Sequence, residues 1–227
     1  LLIMDKLSDC IINRNSSRIP IWFMRQAGRY LPEFRKIRQQ NQNFIKLCLS
    51  PKLVNDITLQ PIKRFNLDAT IIFSDILMVP YGLGQSVEFK KGYGPILEDF
   101  SLDKLLQSKS EDFIKKLSPI YEAISKVKQT TKKESLIGFV GAPWTLLVYM
   151  LNKQSPKKDF NFNKISKNKI LKNKLLEKIQ ESLCLDLSHA LPIKRIIVVV
   201  KNEPNSGLFF GNHRWCYCFQ QKVPIVF

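Results

Sequence analysis

Short, unbroken apolar runs alternate with longer stretches of helical spacing along most of this chain. The runs Ile21-Trp22-Phe23-Met24-Arg25, 68–73, 136–141 and 196–200 are compact and rich in β-branched or aromatic residues. Each predicts a short strand buried on both faces, because a strand with one wet face would alternate instead. Ser50-Pro51 is an N-cap residue followed by proline at the first helical position. It opens a predicted helix over 52–65 with Leu53, Ile57 and Ile62 near one face. Further helices are predicted over 4–13, 102–107, 111–128 and 145–151. The stretch 87–96 alternates around a glycine-rich turn and predicts a hairpin.

Buried strands separated by helices indicate a parallel sheet covered by helices, an α/β fold. In such folds the functional site gathers at the C-terminal ends of the strands. Arg25, Asp75 and the turn Ala142-Pro143-Trp144 each follow a predicted strand, so all three are expected at one mouth. With 227 residues, no repeat and no Gly/Ser-rich linker, the expectation is a single domain over 1–227. A hydrophobic content of 44% excludes wholesale disorder. No apolar run reaches the ~18–20 residues of a membrane span. Five cysteines without a framework predict reduced thiols in a cytoplasmic protein.

Charge changes the picture more. Lys and Arg number 36 against 19 Asp and Glu, a formal net charge of +17, which predicts an anionic substrate or partner. The lysines of 153–178 are interleaved with few aromatics, only Phe160 and Phe162. They predict a solvated helix face and loop, with no nucleic-acid partner.

Three segments carry candidate chemistry. In Met24-Arg25-Gln26-Ala27-Gly28-Arg29-Tyr30-Leu31-Pro32 two arginines flank a glycine directly after an apolar run. A guanidinium binds carboxylate or phosphate through two parallel bonds, and a glycine between two of them lets both forks converge. Arg35 and Arg38 follow. In Phe73-Ser74-Asp75-Ile76-Leu77 a carboxylate after a strand reads either as a helix cap or as a site residue. In Gly138-Phe139-Val140-Gly141-Ala142-Pro143-Trp144-Thr145-Leu146 glycines permit close approach, but neither a dinucleotide-binding nor a P-loop spacing is present.

Together, in order and spacing, these segments resemble the uroporphyrinogen decarboxylase family. The match extends from Pro20 to Arg35 in the first segment and through Tyr149-Met150 in the third, and the resemblance covers roughly 4–189. It implies a (β/α)8 TIM barrel, a cytosolic homodimer, no cofactor and no metal. It also implies removal of CO2 from the four acetate side chains of uroporphyrinogen, giving coproporphyrinogen. By position in the motifs, Arg25, Gln26, Ala27, Gly28, Arg29 and Arg38 are implied substrate contacts. Asp75 is implied to face the central pyrrole N–H groups, and Tyr149 to lie near the reacting side chain. The residue types suit that chemistry. Arginines and a positive field match a substrate with eight carboxylates, and a carboxylate stabilises the cation formed when a pyrrole is protonated at carbon.

The chain departs from that family in its later part. Four strands suggest a barrel truncated to roughly its first four β/α units, since eight units need ~250 residues. Residues 190–227 read as an aberrant tail, of the kind a frameshift produces. Two further readings follow: a non-catalytic remnant that binds anions, and a zinc methyltransferase of the same barrel superfamily with His213, Cys216 and Cys218 as ligands. That His/Cys spacing fits no standard zinc pattern.

Overall fold

A computed structural model describes residues 6–14, 19–90, 92–131, 133–155, 169–190, 196–201 and 225–226. In chain order the helices are α1 (Lys6–Asn13), α2 (Pro32–Gln40), α3 (Phe44–Cys48), α4 (Pro51–Phe65), α5 (Met78–Gly82), α6 (Leu102–Leu106), α7 (Ser110–Thr130), α8 (Pro143–Asn152) and α9 (Lys169–Ala190). The strands are β1 (Ala69–Ile71), β2 (Val87–Lys90), β3 (Gly94–Leu97), β4 (Ser135–Gly141), β5 (Ile196–Lys201) and β6 (Ile225–Val226). The protein is α/β: β1-β4-β5-β6 form a parallel sheet, and β2-β3 form a separate antiparallel hairpin.

The register of β1 on β4 runs from Ala69↔Ser135 to Ile71↔Ile137. Ser135 donates to the Asp68 carbonyl (3.0 Å), and the Ile72 N–H donates to the Ile137 carbonyl (2.9 Å). One face of the sheet carries Ile72, Leu136 and Val140 into the main core, where α4, α7 and α9 cover it. The other face presents Ala69, Ile71 and Ile137 to Leu7 of α1 and to Trp22. The strands are apolar without alternation because both faces are covered.

Ser50 caps α4 by backbone geometry with Pro51 first in the helix, and Asn66 ends it in the left-handed conformation (φ 51°). The helix serves two clusters: Ile57 and Leu53 face α2 and α3, while Val54 and Leu59 join the main core. The hairpin, the helices over 102–107 and 111–128 and the strands over 136–141 and 196–200 all form, with ends displaced by a residue or two. In α9 the stripe Leu175, Ile179, Leu183 and Leu187 is buried. Lys174 is exposed, but two other lysines of the expected solvated face are half-buried against the protein: Lys178 donates to the Ser108 carbonyl at 2.7 Å, and Lys172 lies over the Trp144 ring.

One predicted strand does not form. The run 21–25 is irregular, and Ile21, Phe23 and Met24 are exposed, the last to 74%. Its backbone makes only a two-bond contact with Asp68: the Asp68 N–H donates to the Ile21 carbonyl, and the Ile21 N–H donates to Asp68 Oδ2, both at 2.9 Å. The physical reason is that a strand needs a partner edge, and the edge of β1 is filled by a side chain, as described below. The fourth strand of the sheet is instead β6. His213, Cys216 and Cys218, and most of the 190–227 tail, lie outside the described residues.

Candidate active site

The C-terminal end of β1 is set by two threonines. The Thr70 hydroxyl donates to the Thr58 carbonyl (2.6 Å), and the Phe73 N–H donates to Thr58 Oγ1 (3.0 Å). Both threonines are fully buried, so these bonds lock α4 to the strand and fix where the chain leaves the sheet. Beyond that point Asp75 Oδ1 accepts from the Leu77 N–H (2.9 Å), forming a tight turn ahead of α5. Asp75 is half-buried. The bond goes to Leu77, itself the N-cap residue of α5, so Asp75 closes the turn before the helix and is not its N-cap.

The arginine loop reaches the same strand by a different route. Gln26 is buried, with its amide bonded to the backbone of β1 at Ala69 and Ile71. Ala27 packs into the cluster of Leu31, Phe34, Leu47 and Ile57, which Phe73 also joins. The first and second motifs thus share one apolar cluster. Arg25 and Arg29 are exposed, and neither forms a salt bridge among the described residues. The loop is held by the Leu31 N–H on the Gly28 carbonyl (3.0 Å), Arg35 Nη1 on the Arg29 carbonyl (2.9 Å) and the Tyr30 hydroxyl on the Gln26 carbonyl. Gly28 does not need left-handed geometry, and a Cβ there would meet only the Tyr30 ring at 3.5 Å, an ordinary contact. The protein's own backbone does not demand a glycine at this position, contrary to the conformational argument from sequence.

Arg38 lies over the Phe44 ring at 5.4 Å and donates to the Asn41 carbonyl (2.7 Å). Phe44 and Phe34 both meet Phe73 edge-on, with centroids 5.7 and 5.8 Å away. Cys48 links this cluster to the aspartate. Burial pushes its thiol far above the usual range, the nearby Asp75 carboxylate pushes it further, and the Arg38 guanidinium partly offsets both. Arg38 and Asp75 therefore flank one buried sulfur.

The third motif arrives beside the second. β4 runs parallel to β1, so Gly141 and α8 leave the sheet at the end where Asp75 sits. A Cβ on Gly141 would come within 3.2 Å of Ile76 Cβ, 3.0 Å of Leu146 Cγ and 2.7 Å of Leu146 Cδ2. Two of these atoms are branch points that cannot swing aside. Gly141→Ala is expected to cost about 1–3 kcal/mol of stability by overpacking. Urea unfolding checks this, and an unchanged midpoint would contradict the close approach. Tyr149 stands on α8, half-buried against the main core.

A cavity between β1, β4, α7 and α9 ends at Ser74 and Asp75 and is lined further in by Tyr121 and Asp186. Its volume of about 60 Å³ is far too small for a tetrapyrrole. No local signal in the sequence pointed to Asp186, whose burial depends on α9 docking against α7. The Tyr121 hydroxyl donates to Asp186 Oδ1 at 2.8 Å. Burial lifts the Asp186 carboxyl from 3.8 to about 6, and the Tyr121 bond and His189 only partly offset this.

A carboxyl whose folded value is raised costs nothing below the unfolded value. It destabilises progressively between about pH 4 and 6 and fully above that, by about 3 kcal/mol. Asp186→Asn keeps an acceptor for Tyr121 and removes the charge. The variant is expected to be more stable than the wild type at about pH 7.5 by up to ~3 kcal/mol, and to match it near pH 4. Denaturation at the two pH values decides it, and an equal gain at both would contradict the titration.

A parallel sheet covered by helices defines the class, an α/β protein; the turns at Asp75 and Gly141 follow β1 and β4, and the arginine loop is tied to β1 through Gln26. The family described as uroporphyrinogen decarboxylase (URO-D) matches residues 4–190. The chain belongs to that family. A relative named uroporphyrinogen decarboxylase from Rickettsia felis is 50% identical over 157 residues, covering 67% of this chain and 44% of that protein. One of the same name from Rickettsia massiliae is 49% identical over 154 residues, covering 66% and 43%. The chain thus spans less than half the length of these curated relatives. A methyltransferase from Methanosarcina mazei has the same fold, with a TM-score of 0.66 over 86% of this chain and 57% of that one. At 12% identity this likeness concerns the fold alone. Among the described residues no helix is long and apolar enough to cross a membrane, and no three His, Cys, Asp or Glu side chains converge as a metal site.

Proposed function

We propose that the chain carries the first part of a uroporphyrinogen decarboxylase site. The reaction would remove CO2 from the four acetate side chains of uroporphyrinogen and give coproporphyrinogen. The observation that carries this reading is that Gln26 of the arginine loop is bonded to β1 and Ala27 shares an apolar cluster with Phe73, two residues before Asp75. Arg25 and Arg29, exposed and without an acidic neighbour in salt-bridge reach among the described residues, are suited to the substrate's carboxylates. The net charge of +17 adds long-range attraction.

In the proposed chemistry a pyrrole ring accepts a proton at carbon and becomes a cation. The acetate's carbon–carboxyl bond then breaks, CO2 leaves, and the bonding pair returns to the ring. A second proton on the exocyclic carbon completes the methyl group, and the first proton leaves the ring carbon to restore the neutral pyrrole. Asp75, one of whose oxygens accepts from the Leu77 N–H, is assigned to stabilise the cation while ionised. Tyr149 is assigned to the neighbourhood of the reacting side chain. An arginine is too weak an acid to supply the proton.

The same reading places β1 and β4 as early strands of a (β/α)8 barrel, of which this chain holds about the first four units. It expects a cytoplasmic homodimer needing no cofactor. Titration with uroporphyrin, the stable oxidised octacarboxylate, tests the binding half. Affinity is expected to fall with rising salt and to be weaker for the tetracarboxylate coproporphyrin. Equal affinity for both, or none for either, would sink the reading.

A further inference from the structure

Gln26 is 3% exposed, although Met24, Arg25, Arg29 and Tyr30 around it are exposed. Its Nε2 donates to the Ala69 carbonyl (2.8 Å), and its Oε1 accepts from the Ile71 N–H (3.0 Å). In a parallel strand, alternate residues turn both backbone groups to the same side. Asp68 and Ile72 bond to β4, so Ala69 and Ile71 face the other edge. No strand pairs there among the described residues. The Gln26 amide supplies what a neighbouring strand would: one donor and one acceptor, on one rigid plane, at the spacing of residues two apart. Left unpaired at this depth, those backbone groups would be costly.

The clamp holds more than an edge. Arg25 precedes Gln26, and Arg29 follows three residues later on a loop tied at both ends. The Tyr30 hydroxyl closes back on the Gln26 carbonyl, and Arg35 holds the Arg29 carbonyl. The strand so gripped ends four residues before Asp75, and the intervening chain is held by the Phe73 N–H on Thr58. We propose that Gln26 is a positioning residue, whose amide clamps the arginine loop onto the open edge of β1 and so sets Arg25 and Arg29 relative to Asp75. This rests on the function proposed above. It gives Gln26 a role through the arginines, not through direct contact with the substrate.

Gln26→Glu provides a conditional test. A protonated carboxyl offers the same donor and acceptor in the same places, whereas a carboxylate offers acceptors only and is repelled by the Ala69 carbonyl. Burial raises its titration into a measurable range. Gln26→Met has similar length and no bonds. Uroporphyrin affinity, taken as a ratio to wild type across about pH 6 to 9, is expected to drop ~10- to 100-fold in Gln26→Met at every pH. Gln26→Glu should approach wild type at the acid end and fall to the Gln26→Met level at the alkaline end.

Amide hydrogen exchange gives a second measurement that needs no variant. In the wild type, Ile71 should be protected as Ile72 is, despite lying on an edge. Wild-type binding with an unaffected Gln26→Met, or an Ile71 amide exchanging like an exposed loop, would overturn this role alone. No binding by the wild type would overturn the functional reading and this role with it.

Discussion

In a full-length version with the later barrel units restored, Asp75→Asn is expected to lower kcat for uroporphyrinogen on the order of 10²–10³-fold and to leave KM nearly unchanged. The substitution is conservative for a reason visible in the fold. Asp75 Oδ1 accepts from the Leu77 N–H, and an amide oxygen at that position still can. The turn into α5 is retained while the charge is lost. An interaction that strengthens as the pyrrole becomes cationic belongs to the chemical step, so its removal appears in kcat. Steady-state kinetics on the variant decides it. A normal kcat with altered KM would make Asp75 a helix cap or a positioning group and nothing more.

Arg29→Lys is expected to do the reverse. A bidentate fork becomes a point charge, and one charge-assisted hydrogen bond is lost, worth about 1.5–3 kcal/mol. KM should rise ~10- to 100-fold with kcat largely kept. The loop itself should survive, because Arg35 bonds to the backbone carbonyl of residue 29 and not to its side chain. A variant with wild-type KM would show that the exposed guanidinium of Arg29 does not meet the substrate.

Much of the fold was legible because its signals are local. Ser50-Pro51 marks the start of α4 whatever lies elsewhere, and the unbroken apolar runs at β1 and β4 need only their own composition. The run 21–25 has the same composition and fails, because a strand also needs a free partner edge. That edge is taken by a side chain five residues on from Ile21, which no local pattern announces. The resemblance implies Gln26 as a substrate contact by its place in the motif, whereas its amide bonds to β1. Arg38 joins the centre through a phenylalanine ring and a buried cysteine, neighbours brought together only by packing. Asp186 and Tyr121 pair across 65 residues, so nothing in either segment alone predicts that a carboxyl there is buried.

Anaerobic incubation of the purified protein with uroporphyrinogen tests the central claim most directly, with the products oxidised and separated by carboxylate number. The account predicts little or no seven-, six-, five- or four-carboxylate porphyrin from these 227 residues alone, which hold about the first four units of the proposed barrel, under conditions where uroporphyrin binds and the chain is folded. Normal stepwise product formation, with one CO2 released at each step, would contradict it.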